Sequence, residues 1–170
     1  ALDLASGKPI WETQENVSGT FLHYSARHDM LIQAGSAYRD RALDESGVGI
    51  RALRGADGEV LWEQSKLKYG GPCLILDDRI LTNGGGGFAI DIHTGKSTGW
   101  RYTRAYGCNT AIGCPNMLTF RSAAAGFFDL AGNGGTGNRG GFRSGCSSSW
   151  VPRVGLPYAP ALTRPRPLTY

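Results

Sequence analysis

The residues whose types could do chemistry are few and scattered. Gly135-Thr136-Gly137-Asn138-Arg139-Gly140 has the G-x-G-x-x-G spacing of a dinucleotide-binding turn. Such a turn needs a helix opening behind it and an acid about 20 residues on. Neither follows, so a Gly-rich loop is the expectation. Asp129, Asn133 and Asn138 carry oxygens of the kind calcium takes, but no second carboxylate stands near them in sequence. His23, His28 and His93 lie at no ligand spacing from a cysteine or acid and read as hydrogen-bonding surface residues. Cys73, Cys108, Cys114 and Cys146 form no C-x-x-C and no zinc spacing; four cysteines allow three complete pairings, and spacing does not choose among them. Ser147 to Ser149 lack the G-x-S-x-G frame of a nucleophile and read as polar loop. No catalytic residue and no metal site is assigned from these patterns.

The elements that would position such residues show a recurring corner. Asp91-Ile-His-Thr-Gly95 leads into a strand closed by Trp100, Asp3 to Gly7 leads to Trp11, and Arg54 to Gly58 leads to Trp62. Glycine at a hairpin tip takes positive φ at no steric cost, which suits Gly7, Gly58 and Gly95. The carboxylates of Asp3 and Asp91 stand where they can accept turn amides. A tryptophan four or five residues past each glycine can pack against the neighbouring corner. The middle copy has Arg54 in place of the acid, and the last has one extra residue before Trp100. Corners repeated in this way indicate a repeat architecture.

Ala1-Leu-Asp-Leu-Ala-Ser-Gly-Lys-Pro-Ile-Trp11 and Ala89-Ile-Asp-Ile-His-Thr-Gly-Lys-Ser-Thr-Gly-Trp100 resemble the tryptophan docking motif of β-propeller repeats of the pyrroloquinoline-quinone (PQQ) type. The blocks Tyr106 to Asn109, Leu118 to Leu130 and Gly134 to Cys146 are similar to repeat proteins of planctomycete type, and with the corners the likeness covers most of the chain. The resemblance implies an all-β fold of four-stranded antiparallel blades. The family includes quinone enzymes and members that bind no quinone, such as outer-membrane assembly scaffolds. The enzymes use adjacent cysteines, calcium and a catalytic Asp, and no Cys-Cys pair stands here. The resemblance therefore implies a non-catalytic scaffold or binding module of the cell envelope, periplasmic or extracellular, with a protein or glycan ligand. No cofactor is expected; PQQ and calcium belong to the alternative, in which the chain is part of a quinoprotein oxidoreductase. A second alternative is a propeller module fused to an enzyme domain outside the chain. Arg104, Asn109, Arg121, Asp129, Asn138 and Arg143 lie in or beside the family-like blocks and are the candidate ligand-binding residues; pairing of Arg121 with Asp129 on adjacent strands is the competing expectation. Cys108 and Cys146 fall in two of those blocks, which makes them the candidate disulfide.

Length and composition agree with that class. The chain has 170 residues, 26 glycines and 19% charged residues, a balance that suits short strands and tight turns rather than disorder. At about 40–45 residues per blade this is about four blades, and propellers close with 4–8. The expectation is a single repeat region over 1–170 with boundaries near 12, 63, 104 and 147, an incomplete ring, and a fragment of something larger. Trp62 lies 51 residues after Trp11 but 38 before Trp100, which places an insertion at Ala37 to Gly47. Ala131 to Gly145 reads as a long loop, 147–160 as a short hairpin, and 157–170 as a Pro/Arg-rich edge or tail. Exposed strand edges predict pairing with further blades or another copy of the chain. Net charge is +4, and no acid follows Asp129. The Lys/Arg clustering is too sparse for specific nucleic-acid binding, and no apolar run is long enough to span a membrane.

Overall fold

Residues such as Val48-Gly-Ile-Arg-Ala-Leu-Arg54 carry apolar side chains at both parities, the pattern of a strand covered on both faces. The computed structural model describes residues 1–17, 19, 21–35, 48–68, 72–82, 87–105, 107, 110–139, 151–153 and 156–158. The protein is all-β. Its first sheet runs β1 (Phe21–Ser25), β2 (Met30–Ala34), β3 (Val48–Arg54) and β4 (Val60–Lys68) in sequence order. The second runs β5 (Leu74–Leu76), β6 (Arg79–Leu81), β7 (Phe88–Asp91) and β8 (Ser97–Arg101) in the same way. The third runs β9 (Ile112–Cys114), β10 (Met117–Ser122), β11 (Ala124–Asp129) and β12 (Thr136–Arg139). A hairpin follows, β13 (Val151–Arg153) with β14 (Leu156–Tyr158). Each four-stranded sheet is antiparallel and, among the described residues, open at both edges, as a β-propeller blade is. The first two sheets fall in a compact unit, Ala1–Arg101, and the third in another, Tyr102–Tyr170.

Burial follows position in the sheet. In the first unit Ile32, Ala34, Ile50, Ala52, Ile80 and Ile90 come from second and third strands and form one apolar core, with Cys73 and Ile92 beside them. The outer strand β4 has only exposed and half-buried residues. In the second unit Tyr102 packs at 5.2 Å, centroid to centroid, on Phe120 and at 6.2 Å on Phe128.

The Gly-rich stretch after Ala131 is not all loop. Thr136–Arg139 is a strand paired with β11, and Phe127 stands opposite Gly137. A Cβ on Gly137 would lie 2.4 Å from the Phe127 ring, so the ring covers the bare backbone. The strand is held by this cross-strand neighbour, which its own composition does not announce. The insertion at Ala37 to Gly47, Asn109, Arg143, Ser147 to Ser149, Cys108 with Cys146, and the tail beyond Tyr158 lie outside the described residues.

Successive corners of the first unit dock on one another. Trp11 donates its indole N–H to the Gly55 carbonyl at 2.8 Å, and Trp62 donates to the Ile92 carbonyl at 2.7 Å. Gly55 and Ile92 each follow the first corner residue, Arg54 or Asp91. Each ring lies on the corner glycine: a Cβ on Gly58 or Gly95 would meet the Trp11 or Trp62 ring at 2.5 Å. Both glycines also have positive φ, +77° and +66°. The extra residue before Trp100 is absorbed in β8, where the register with β7 shifts and Gly99 takes φ +79°. From Phe88 to Ile90 is two steps on β7, against four from Ser97 to Arg101 on β8, an irregularity of the β-bulge kind.

These contacts make a mutational prediction. Trp62→Ala should cost about 3 kcal/mol in denaturant melts. Gly95→Ala should cost about as much, from a strained φ and a displaced ring, whereas Gly7→Ala (φ +68°, open space around it) should cost only about 1 kcal/mol of backbone strain. Trp62→Ala combined with Gly95→Ala should fall short of additivity by about 1–2 kcal/mol. Additive losses would show that the ring and the glycine do not act as one contact.

Candidate functional site

Three turns at one end of the first two sheets hold the polar constellation. His28 sits in the β1–β2 turn, Asp77 and Asp78 form the β5–β6 turn, and His93 lies in the corner between β7 and β8. The His28 side chain is only 8% exposed. Its Nε2 is 3.3 Å from Asp78 Oδ1 and 3.1 Å from the Asp77 carbonyl. The His93 ring meets it edge-on, with centroids 5.0 Å apart. Arg27 lies over the same carboxylates, 3.5 Å from Asp77 and 3.7 Å from Asp78. One ligand atom from each of His28, Asp78 and His93 fits within 4.8 Å of the others.

The backbone fixes this geometry. The Ile92 N–H donates to the Asp78 carbonyl at 2.9 Å, which ties the β5–β6 turn to the corner that carries His93. The same bond recurs as Gly55 N–H to Asp29 and as Leu130 N–H to Asn116. The carboxylates differ in what they do. Asp29 spends its oxygens on the Tyr24 hydroxyl (2.8 Å) and the Ala56 amide (3.2 Å). Asp78 faces His28 and Arg27 instead.

Beside the cluster lies a shallow, open depression of about 290 Å³, lined by His23, Tyr24, Arg27, Ile75 and Asp77 among others. His23 Nδ1 is 3.4 Å from the Cys73 carbonyl. Leu22 and Tyr24 leave the same face of β1 exposed to solvent. Deeper in the sheet, Arg51 is 2% exposed and donates Nε–H to Gln33 Oε1 at 3.1 Å. Its Nη2 has no hydrogen-bond partner among the described residues.

The corner residues serve their own turns. Asp3 Oδ1 accepts the Ser6 amide (2.7 Å) and hydroxyl (2.6 Å). Asp91 Oδ1 accepts the His93 amide (3.1 Å), the Thr94 amide (2.8 Å) and the Thr94 hydroxyl (2.9 Å). In the middle corner the polarity is reversed: Arg54 donates to Asp57 at 2.8 Å, three residues on. Asp129 accepts the Ala131 and Gly132 amides at 3.0 and 3.1 Å, and Asn133 takes φ +49° where the other corners have glycine.

Of the candidate ligand residues, Arg104, Arg121, Asp129 and Asn138 are described. Arg104 donates to the Gly107 carbonyl at 2.9 Å. Arg121 is buried opposite Ala125, while Asp129 stands opposite Met117. Four positions along a strand is about 14 Å, which is too far for the pair to form. Asn138 is exposed on β12 opposite Gly126. The cluster at His28 escaped the sequence because its members lie 50 and 15 residues apart, in turns that only stacking of the sheets aligns.

No family model matches the chain, and no curated protein matches it. Among solved structures, BamB from Moraxella catarrhalis superposes with a TM-score of 0.50 at 18% identity, over 75% of this chain and 37% of that one. The computationally designed Ika8 protein superposes with a TM-score of 0.42 at 13% identity, over 64% of this chain and 32% of that one. The chain thus spans about a third of the length of the structures it matches. The likeness to BamB shows the fold: an all-β chain of β-propeller-type blades.

Two titrations can be checked. The Thr94 hydroxyl, then the Thr94 and His93 amides and the His93 charge, hold the Asp91 carboxyl below the usual carboxylate range. A depressed native pKa gives stability that is full above the ordinary value of about 3.9 and is lost as pH falls through the native one. Urea melts between about pH 5 and pH 2 should therefore show a shallower acid loss for Asp91→Asn than for wild type; parallel curves would refute the corner's role. Burial pushes the Cys73 thiol up to about 12. Cys73 should resist thiol reagents at about pH 8 until the protein is unfolded, as read by mass spectrometry.

Proposed function

We propose that the chain is a non-catalytic scaffold or binding module of the cell envelope, built of PQQ-type propeller repeats with tryptophan docking corners. The observation that carries this reading is the blade architecture shared with BamB over 75% of the chain. It is supported by the surface on β1. The exposed Tyr24 ring and Leu22 stand beside the depression with Arg27 and Asp77 on its rim. An aromatic face next to charged hydrogen-bonding groups is suited to a peptide side chain or to a sugar ring. The partner class is accordingly protein or glycan, with a periplasmic or extracellular setting. Further blades or another copy of the chain would cover the open sheet edges.

The alternative is a quinone enzyme, and it is tested directly. Calcium with pyrroloquinoline quinone should leave the tryptophan fluorescence unchanged apart from inner-filter loss. Saturable, calcium-dependent quinone binding would overturn the scaffold reading. A photo-crosslinker at Leu22, compared with one at Lys66, should join a defined envelope protein or glycan only at the first position. Equal crosslinking at both would count against a binding face on β1.

A further inference from the structure

We propose that His28, Asp78 and His93 form a binding site for a transition-metal dication of the zinc type. Two imidazoles and one carboxylate are the donor set that suits zinc, copper, nickel or cobalt, whereas calcium and magnesium take oxygen cages. Zinc–nitrogen and zinc–oxygen bonds of about 2.0–2.1 Å in a tetrahedron set donor atoms about 3.4 Å apart. His28 Nε2 and Asp78 Oδ1 stand at 3.3 Å, so one edge of that tetrahedron already exists. The donor atoms of all three residues lie within 4.8 Å of one another. His93 is exposed, and its side chain would have to turn toward the ion to complete the set.

The site is built into the fold. His28 is nearly buried, so its ring direction is fixed by packing. Asp78 and His93 belong to segments joined by the 2.9 Å bond from Ile92 to the Asp78 carbonyl. Asp91 Oδ1 holds the His93 amide at 3.1 Å. One ligand comes from the first sheet and two from the second, so the ion would clamp neighbouring blades at their turns. Three protein ligands leave a fourth position for water or for a donor atom of a bound partner.

Two groups oppose the ion, and both are testable. Binding through His28 Nε2 requires the tautomer with its proton on Nδ1, which removes the hydrogen bond to the Asp77 carbonyl. The Arg27 guanidinium, 3.7 Å from Asp78 Oδ1 and 65% exposed, competes for the same carboxylate. Removing that cation should strengthen metal binding.

The test is zinc titration of the full chain against a chromogenic chelator, with cobalt(II) absorption as the structural readout. Solvent-accessible cysteines are first blocked with iodoacetamide. One equivalent of zinc should bind, with the visible bands of tetrahedral cobalt in the cobalt-loaded protein. His93→Ala and Asp78→Asn should each weaken zinc at least tenfold while leaving the metal-free melting curve nearly unchanged. His28→Asn should do the same if it folds; the exposed His93 keeps the test decisive if it does not. Arg27→Gln should tighten zinc severalfold. Zinc binding that survives His93→Ala and Asp78→Asn, absence of binding at millimolar zinc, or calcium binding as tight as zinc would each overturn the proposal.

Discussion

The contact on which the first unit depends is the indole of one corner seated on the next. Trp11 and Trp62 each close two interactions at once, an N–H to a peptide carbonyl and a ring face on a glycine that has no Cβ. The residue that supplies the carbonyl also gives its own N–H to the carbonyl of the preceding turn, Gly55 to Asp29 and Ile92 to Asp78. For Trp62 these bonds tie the outer strand of the first sheet to the corner of the second, and that corner to the β5–β6 turn. The docking also explains why the tryptophans are half-buried rather than core residues: one edge must reach a carbonyl, and one face must lie flat on backbone.

The requirement on each corner is a backbone shape, and several side chains can meet it. Asp3 with Ser6, Asp91 with Thr94, and Arg54 with Asp57 all link the first corner residue to the fourth. The middle pair exchanges acid and donor without changing the turn, since Gly58 N–H still bonds the Arg54 carbonyl at 2.9 Å as Gly95 does with Asp91. At the Asp129 corner the left-handed position goes to Asn133, the residue type that tolerates it best after glycine.

This separates what the sequence could reveal from what it could not. The all-β class and most strand cores were legible, because alternation and turn residues are local signals. β12 was not, because a strand of Thr-Gly-Asn-Arg owes its place to the Phe127 ring across from it. The pairing of Arg121 with Asp129 failed for a related reason. Both residues are on the β10–β11 hairpin, but register, which sequence spacing does not show, puts them at opposite ends. The histidine cluster was invisible for a third reason: its members share no local pattern and meet only where two sheets stack.

The position of that cluster follows from a single difference between two equivalent turns. Asp29 and Asp78 each stand just before the second strand of their sheet, and each gives its carbonyl to the corner. In the first sheet Tyr24 is placed to donate its hydroxyl to the Asp29 carboxylate. In the second sheet Ile75 stands at the register position of Tyr24, each pairing one residue in from the hairpin turn. Isoleucine has nothing to donate, so the Asp78 carboxylate turns to the nitrogen groups on the adjacent sheet, Arg27 and His28. The shorter β5–β6 turn brings Asp77 in beside it and exposes its carbonyl to the same imidazole. A loss of one hydroxyl thus converts a carboxylate that serves its own turn into one that faces the neighbouring sheet. Restoring the hydroxyl at Ile75 would draw Asp78 back to its own turn and take the polar constellation apart without touching any of its members.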